Sequence, residues 1–313
     1  MTTTPPARKR IAVLLGGFNG EREVSLESGR QVLNAVRTLG HDVIEIDVQR
    51  DIAKLIQDLT PKPDMVVNLL HGTWGEDGHI QSILDILEIP YSFSDATSSA
   101  LAMNKTLSKR VFQAAQLPVP EGVTIPVADA FDRKVMDFPY VIKPVNEGSS
   151  LGVYLVFEEK DIPSLPSDWA YGSEVMVETY IPGREISVAI MGDEAIGAME
   201  LAPKKGFYDY KAKYTDGVTD HFVPPRISDD ALKEALDLGR RAAAALGCQG
   251  ICRVDLRYDD TQPGKPGQFF VLEANTQPGM SPLSIVPEIA ANSGISFENL
   301  VQWMIDNPVQ KAA

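Results

Sequence analysis

Arg253-Val254-Asp255 and, after a Gly/Pro-rich break, Phe269-Phe270-Val271-Leu272-Glu273-Ala274-Asn275-Thr276-Gln277-Pro278-Gly279 hold the residues of this chain best suited to chemistry. In an extended strand residues two apart share a face, so Arg253 goes with Asp255 and Glu273 with Asn275. If the two strands are neighbours, two carboxylates, an amide and a guanidinium converge. Hard oxygen donors of this kind suit Mg²⁺ bridging phosphates, and an Arg beside them suits negative charge that builds up during phosphoryl or acyl transfer. The flanking residues are too apolar for a solvated edge, and charges ending buried strands are costly unless a metal or partner compensates them. Alone, the pattern fits kinases, ligases and synthetases alike.

Other segments narrow this choice. Tyr140-Val141-Ile142-Lys143-Pro144 followed by Asn146-Glu147-Gly148-Ser149-Ser150-Leu151-Gly152-Val153 looks like a strand ending in Lys, a Gly/Ser-rich loop and a returning strand. Such a loop exposes backbone N–H groups that can cover phosphates, with Lys143 as a point charge. It is not a P-loop, because Gly-x-x-x-x-Gly-Lys-Ser/Thr occurs nowhere in the chain. A solvated hairpin is its bland alternative, and the carboxylate/amide pattern downstream favours the phosphate cover. Glu174 to Glu185 reads as a strand running into a turn, which could meet an adenine edge and a ribose or could equally be an interdomain hinge.

His71-Gly72-Thr73-Trp74-Gly75-Glu76-Asp77-Gly78-His79 follows a strand at its carboxyl end, where open parallel sheets bind ligands. Its glycines suggest a tight turn with one inward His rather than a metal site. Pro203 to Pro225 is a polar-aromatic loop too long for a plain connection, and its aromatics argue for a lid over a disordered tract. Gly279-Met280-Ser281-Pro282-Leu283-Ser284 leads into a helix whose N–H groups and Ser284 could hold a carboxylate; a capping Ser explains the same residues.

The elements that must position these groups fall into distinct patterns. Residues 10 to about 100 alternate apolar strands at 11–15, 43–46 and 65–70 with helices near 24–39, 51–59 and 79–88, the βαβ signature of a parallel sheet. Gly16-Gly17 after the first strand makes a ligand-facing turn but lacks the dinucleotide fingerprint. After a helix near 104–116 come strands at 139–143, 152–157 and 173–179, then 185–191 and 195–201, a helix near 228–246, the two strands above, and closing helices near 284–292 and 296–306. At 313 residues two or three domains are expected. The division read here is 1–101, a βαβ substrate-binding domain; 102–181, a small central α+β unit; and 182–313, an α+β catalytic unit with the lid at 203–225. The fold class is α/β, α+β in parts.

A net charge of −14 offers no basic field for nucleic acid, and no Lys/Arg block suggests a membrane surface. Phosphates must therefore be held by a few local cations. Cys248 and Cys252 are too few for a disulfide framework and lack companions for zinc. Nothing near the start of the chain is long and apolar enough for a signal or membrane segment, so a cytoplasmic location is expected.

Taken together, Gly20-Glu21-Arg22-Glu23-Val24-Ser25, the His-Gly…Gly-Glu-Asp-Gly turn, Lys-Pro…Glu-Gly-Ser-Ser, Phe-Tyr-Asp-Tyr…Lys-Tyr, Arg-Val-Asp and Glu-Ala-Asn-Thr-x-Pro-Gly resemble the D-alanine:D-alanine ligase family of the ATP-grasp superfamily, over roughly residues 10–306. The resemblance implies that ATP phosphorylates one D-alanine carboxylate and the amine of a second D-alanine attacks the acylphosphate, making D-alanyl-D-alanine for peptidoglycan precursors. It also implies ligand sets. Asp255, Glu273 and Asn275 would hold two Mg²⁺, with Mn²⁺ as a substitute and K⁺ as an accessory ion. Lys105, Lys143 and Ser150 would meet the phosphates, Glu178, Thr179, Tyr180 and Ile181 the adenine, Glu185 the ribose, and Phe207 and Lys213 would act from the lid.

For the amino acids, Glu21 would pair with the first D-alanine's ammonium, with Ser149 and Tyr214 around it and His71 near its carboxylate. Arg253 and the Gly279 N–H would form the oxyanion site, while Ser284 and Ile285 would receive the second D-alanine. Ile285 stands where Leu is the commoner family residue. Lys213-Tyr214 favours an amine nucleophile over the lactate hydroxyl used by ester-forming relatives. A homodimer is expected from the resemblance alone. A catalytically silent nucleotide-binding module is the competing class, and Arg253 argues against it, since mere binding has no use for an oxyanion group.

Overall fold

The computed structural model describes residues 7–204, 217–282 and 284–309. Contacts divide it into two units: one takes the residues up to Ser99, Cys248–Cys252 and the segment from Thr276 onward, the other Ala100–Gly247 and Arg253–Asn275.

In the first unit β1 (Arg10–Gly16) lies between β2 (Asp42–Val48) and β3 (Met65–Asn68), parallel to both. Ile11, Ala12, Val13 and Leu14 are wholly buried, as a strand covered on both faces must be. Parallel neighbours need crossovers, here α1 (Arg22–Thr38) and α2 (Ile52–Asp58). α3 (His79–Ile86) follows β3 through the turn that starts at His71, and buried Tyr91 extends the sheet by a parallel bridge to Val66 and an antiparallel one to Val309. The βαβ reading holds, with β3 ending at Asn68 rather than at residue 70. α4 (Ala96–Met103) was not legible as a helix, because Ala-Thr-Ser-Ser-Ala-Leu-Ala-Met has little contrast between faces.

The second unit holds two antiparallel sheets. After α5 (Lys105–Ala114), capped by the Asn104 side chain, come β4 (Gly122–Pro126), the short α6 (Val127–Ala130), β5 (Tyr140–Pro144), β6 (Tyr154–Val156) and β7 (Glu174–Thr179), in the order β4-β7-β5-β6. Tyr140, Ile142, Val156, Val175 and Val177 form its core with Ala130 and Phe131. The second sheet runs β10-β9-β8-β11-β12 through β8 (Arg184–Met191), β9 (Glu194–Pro203), β10 (Thr219–Phe222), β11 (Ile251–Asp259) and β12 (Gln268–Asn275). α7 (Asp229–Leu246) packs on β8, β9 and β12, capped by Ser228 at its start and by Gly247, left-handed, at its end. β4 and β10 escaped the sequence reading, so 203–225 is not loop throughout: Thr219–Phe222 pairs with β9.

The chain closes in the first unit with α8 (Ile285–Asn292) and α9 (Phe297–Asp306), the latter packed on α1. Among the described residues no helix is long and apolar enough to cross a membrane.

Candidate active site

β11 alternates core residues Cys252, Val254 and Leu256 with Arg253, Asp255 and Arg257 on the opposite face. Its antiparallel partner sets Arg253 opposite Asn275 and Asp255 opposite Glu273, so the four groups of the sequence pattern do meet on adjacent strands. A strict period of two would have put Glu273 on the face of buried Phe269 and Val271. The register instead shifts between Asp255 and Leu256, which pairs with Val271, and Leu272 is the extra residue of a bulge. That bulge turns Glu273 and Asn275 onto the face of Asp255.

The carboxylates there have counter-charges. Arg253 donates from Nε to Asp255 Oδ1 and from Nη2 to Oδ2, both at 2.8 Å, and Ser187 Oγ donates to Oδ1 at 2.6 Å. Lys105 Nζ lies 3.2 Å from Glu273 Oε2 and 2.5 Å from the Glu147 carbonyl oxygen. Burial raises the Glu147 carboxyl above its ordinary value, with Lys105 opposing. Among the described residues no trio of His, Cys, Asp or Glu gathers closely enough for a metal. A metal here would rest on two carboxylates and one amide, all hard oxygen donors, a set that fits Mg²⁺ and not a soft or strongly nitrogen-seeking ion.

One pocket of the second unit collects most of the expected nucleotide residues: Lys105, Lys143, Ser150, Glu178, Thr179, Tyr180, Ile181, Glu185, Asp255 and Glu273. Val141, Val153, Leu151 and Leu272 give it apolar walls of the kind a flat heteroaromatic ring requires. The sequence reading missed these walls and also Arg257, whose Nε and Nη2 donate to the carbonyls of Ile181 and Gly183 at 3.0 and 2.9 Å and whose Nη1 lies 3.6 Å from Glu185 Oε2. Glu178 is buried and forms ion pairs with both Lys143 and Lys109, the latter at 2.8 Å. Burial pushes its carboxyl up, yet the two ammonium groups outweigh that and hold it below the ordinary carboxylate range. For Lys109 burial wins over Glu178 and lowers the amine. Ser149 and Ser150 both take positive φ, 51° and 57°, so the Gly/Ser loop holds a left-handed backbone that non-glycine residues rarely adopt.

The first unit carries Glu21 at the N-cap position of α1, where its side chain does not cap the helix. His71 is buried: its Nδ1 lies 2.8 Å from Glu76 Oε1 and its Nε2 3.4 Å from Ser28 Oγ. His79 pairs with Asp77 at 2.8 Å. Each acid of this turn thus answers its own imidazole. Ser281 donates its N–H to Ser284 Oγ at 3.1 Å, and the two hydroxyls are 2.9 Å apart. Ser284 occupies the N-cap position of α8 without a side-chain capping bond, so the capping explanation of this residue fails, and Ile285 opens that helix. Gly279 lies beside Ser284: a Cβ there would sit 3.0 Å from its Oγ.

A family model, D-ala D-ala ligase C-terminus, matches residues 111–306. A D-alanine–D-alanine ligase of Parvibaculum lavamentivorans is 49% identical over 301 residues, covering 95% of this chain and 97% of that relative. Its counterpart from Granulibacter bethesdensis is 44% identical, with 97% and 99% covered. The chain belongs to the D-alanine–D-alanine ligase family. Solved ligases share its fold. The Bacillus anthracis D-alanine–D-alanine ligase complexed with ATP superposes with a TM-score of 0.79 at 28% identity, covering 96% of each chain. VanG D-Ala:D-Ser ligase from Enterococcus faecalis gives 0.76 at 29% identity, covering 96% of this chain and 99% of that one. The ATP-grasp expectation is met by this likeness. Of the residues the ligase motifs nominate, Phe207, Lys213 and Tyr214 lie outside the described residues.

Proposed function

We propose that the chain is an ATP-dependent ligase that joins two D-alanines into D-alanyl-D-alanine, with ADP and phosphate as coproducts. The observation that carries this is the β11–β12 register, which pairs Asp255 with Glu273 and Arg253 with Asn275 on one face, with Asp255 and Glu273 lining the pocket that also holds Lys105 and Lys143. In the first step a carboxylate oxygen of one D-alanine takes the γ-phosphoryl group and ADP leaves. In the second the amine of another D-alanine attacks the acyl carbon, phosphate departs with the carboxylate oxygen, and the amine loses a proton.

Each residue has a part in this reading. Asp255, Glu273 and Asn275 hold two Mg²⁺, for which Mn²⁺ can substitute; bound there, the ions neutralise charge on the transferring phosphoryl group. K⁺ is an accessory ion. Lys105, Lys143 and the Ser149–Ser150 loop hold the phosphates, and Glu178 to Ile181 hold the adenine, with Val141 and Leu272 among the apolar walls of the same pocket. Glu185 accepts from the ribose, with Arg257 fixing the turn beside it. Glu21 takes the first D-alanine's ammonium together with Ser149 and Tyr214, and His71 its carboxylate. Arg253 and the Gly279 N–H stabilise the tetrahedral oxyanion, and Ser284 with Ile285 receives the second D-alanine. Phe207 and Lys213 act from the lid.

The three sheets support the division at 101/102 and 181/182, since each proposed part owns one of them. Peptidoglycan precursor synthesis in the cytoplasm by a homodimer completes the reading. The test is product identification: purified protein with ATP, Mg²⁺ and D-alanine, alone and with D-lactate, analysed by mass spectrometry. The expected outcome is the dipeptide with one phosphate per peptide bond. Absence of dipeptide, or preferential formation of the D-lactate ester, would refute it.

A further inference from the structure

We infer that Asn19 is a positioning residue for the amino-acid side of the ligation: it locks the turn bearing His71 against the start of the helix bearing Glu21. The inference rests on the ligase reading and extends it to a residue with no role there. Asn19 Nδ2 donates to the carbonyl oxygens of His71 and Thr73 at 2.7 and 2.8 Å, and its Oδ1 accepts the Glu21 N–H at 2.9 Å. One planar amide thus uses both of its N–H donors on one loop and its oxygen on the other. The N–H it accepts belongs to Glu21, the residue at the N-cap position of α1.

The two loops are in close contact where Asn19 ties them. Gly72 has φ +67, and a Cβ there would lie 2.2 Å from Glu21 Oε2 and 3.2 Å from Asn19 Nδ2. The turn therefore passes directly over the Glu21 carboxylate, and only glycine leaves room for it. Deeper down, Ser25 Oγ donates to the Leu69 carbonyl oxygen at 2.6 Å and Ser28 Oγ lies 3.4 Å from His71 Nε2. Those contacts fix the buried side of the turn, whereas Asn19 fixes the residue 71–73 backbone above Glu21. A substrate that spans Glu21 with its ammonium and His71 with its carboxylate reads the separation of the two loops, and displacement by about 1 Å is enough to cost a large factor.

No other common side chain meets the same demands. Serine has a single donor, and aspartate would turn an oxygen toward two carbonyl oxygens while still accepting from Glu21.

The test measures dipeptide formation by wild type, Asn19→Ala, Asn19→Ser and Asn19→Asp, varying D-alanine at saturating ATP and ATP at saturating D-alanine, with thermal unfolding of each protein. The expected result is a rise of about tenfold in KM for D-alanine in Asn19→Ala, which loses all three side-chain hydrogen bonds, with KM for ATP unchanged. Asn19→Ser should recover part of it and Asn19→Asp should be worse than alanine. KM for D-alanine within twofold of wild type in both Asn19→Ala and Asn19→Asp would overturn the inference. So would equal loss toward ATP and D-alanine, which marks a general folding defect. If Asn19→Ala does not fold, the contrast between Asn19→Ser and Asn19→Asp decides. Wild type that makes no dipeptide refutes the ligase reading itself, a result separate from any change among the variants.

Discussion

Arg253 grips both oxygens of Asp255 and sits opposite Asn275, so the group proposed for the oxyanion is held directly by a proposed metal ligand. A guanidinium already oriented by a carboxylate costs little reorganisation when charge develops nearby, which is the condition under which electrostatic stabilisation is largest. Arg253→Ala should therefore lower kcat by about a hundredfold or more while nucleotide binding, measured by titration, is retained. Turnover within threefold of wild type would remove Arg253 from the chemistry. At this scale the sequence was informative where side-chain type alone decides: two carboxylates, an amide and an Arg at spacings of two state a charge problem that needs a cation. It was silent on Lys109, Arg257 and Asn19. Their roles lie in the partners they reach, Glu178 at 69 residues' separation, the Ile181 carbonyl at 76 and the His71 carbonyl at 52.

Strand alternation made β1, β3, β5, β7, β8, β11 and β12 legible, because one or both faces of each are apolar. The bulge at Leu272 was not, since a period of two contains no sign of an inserted residue, and yet that bulge turns Glu273 toward Asp255. β4, a Gly-to-Pro pentapeptide, and β10, set in a polar-aromatic stretch, gave too little pattern to read. β7 illustrates how an element carries both fold and site: Val175 and Val177 face its core, while Glu178 at its end binds Lys109 and Lys143. The Glu178 carboxyl is held below the ordinary carboxylate range because the lysines outweigh burial. A lowered folded pKa gives stability that is present above the unfolded value and lost as pH falls through the folded one. Thermal unfolding of wild type should therefore weaken below about pH 4.5 more steeply than that of Glu178→Gln. The variant itself should lose about 3 kcal/mol at neutral pH, with two buried ammonium groups left unanswered. Parallel acid dependence in the two proteins would show that the triad does not contribute as described.

Over the whole molecule, a net charge of −14 means that ATP is not drawn in by a global field, so its phosphates depend on cations concentrated in one place. Lys105, Lys143 and Arg257 line a single pocket of the second unit, whereas Glu21, His71, Gly279 and Ser284 belong to the first. The central claim is that ATP activates a carboxylate before the peptide bond forms. It is tested most directly by supplying D-alanine labelled with ¹⁸O in both carboxylate oxygens and analysing the released phosphate by mass spectrometry. Acylphosphate formation predicts one labelled oxygen in each phosphate, whereas phosphate that stays unlabelled while dipeptide accumulates would contradict it.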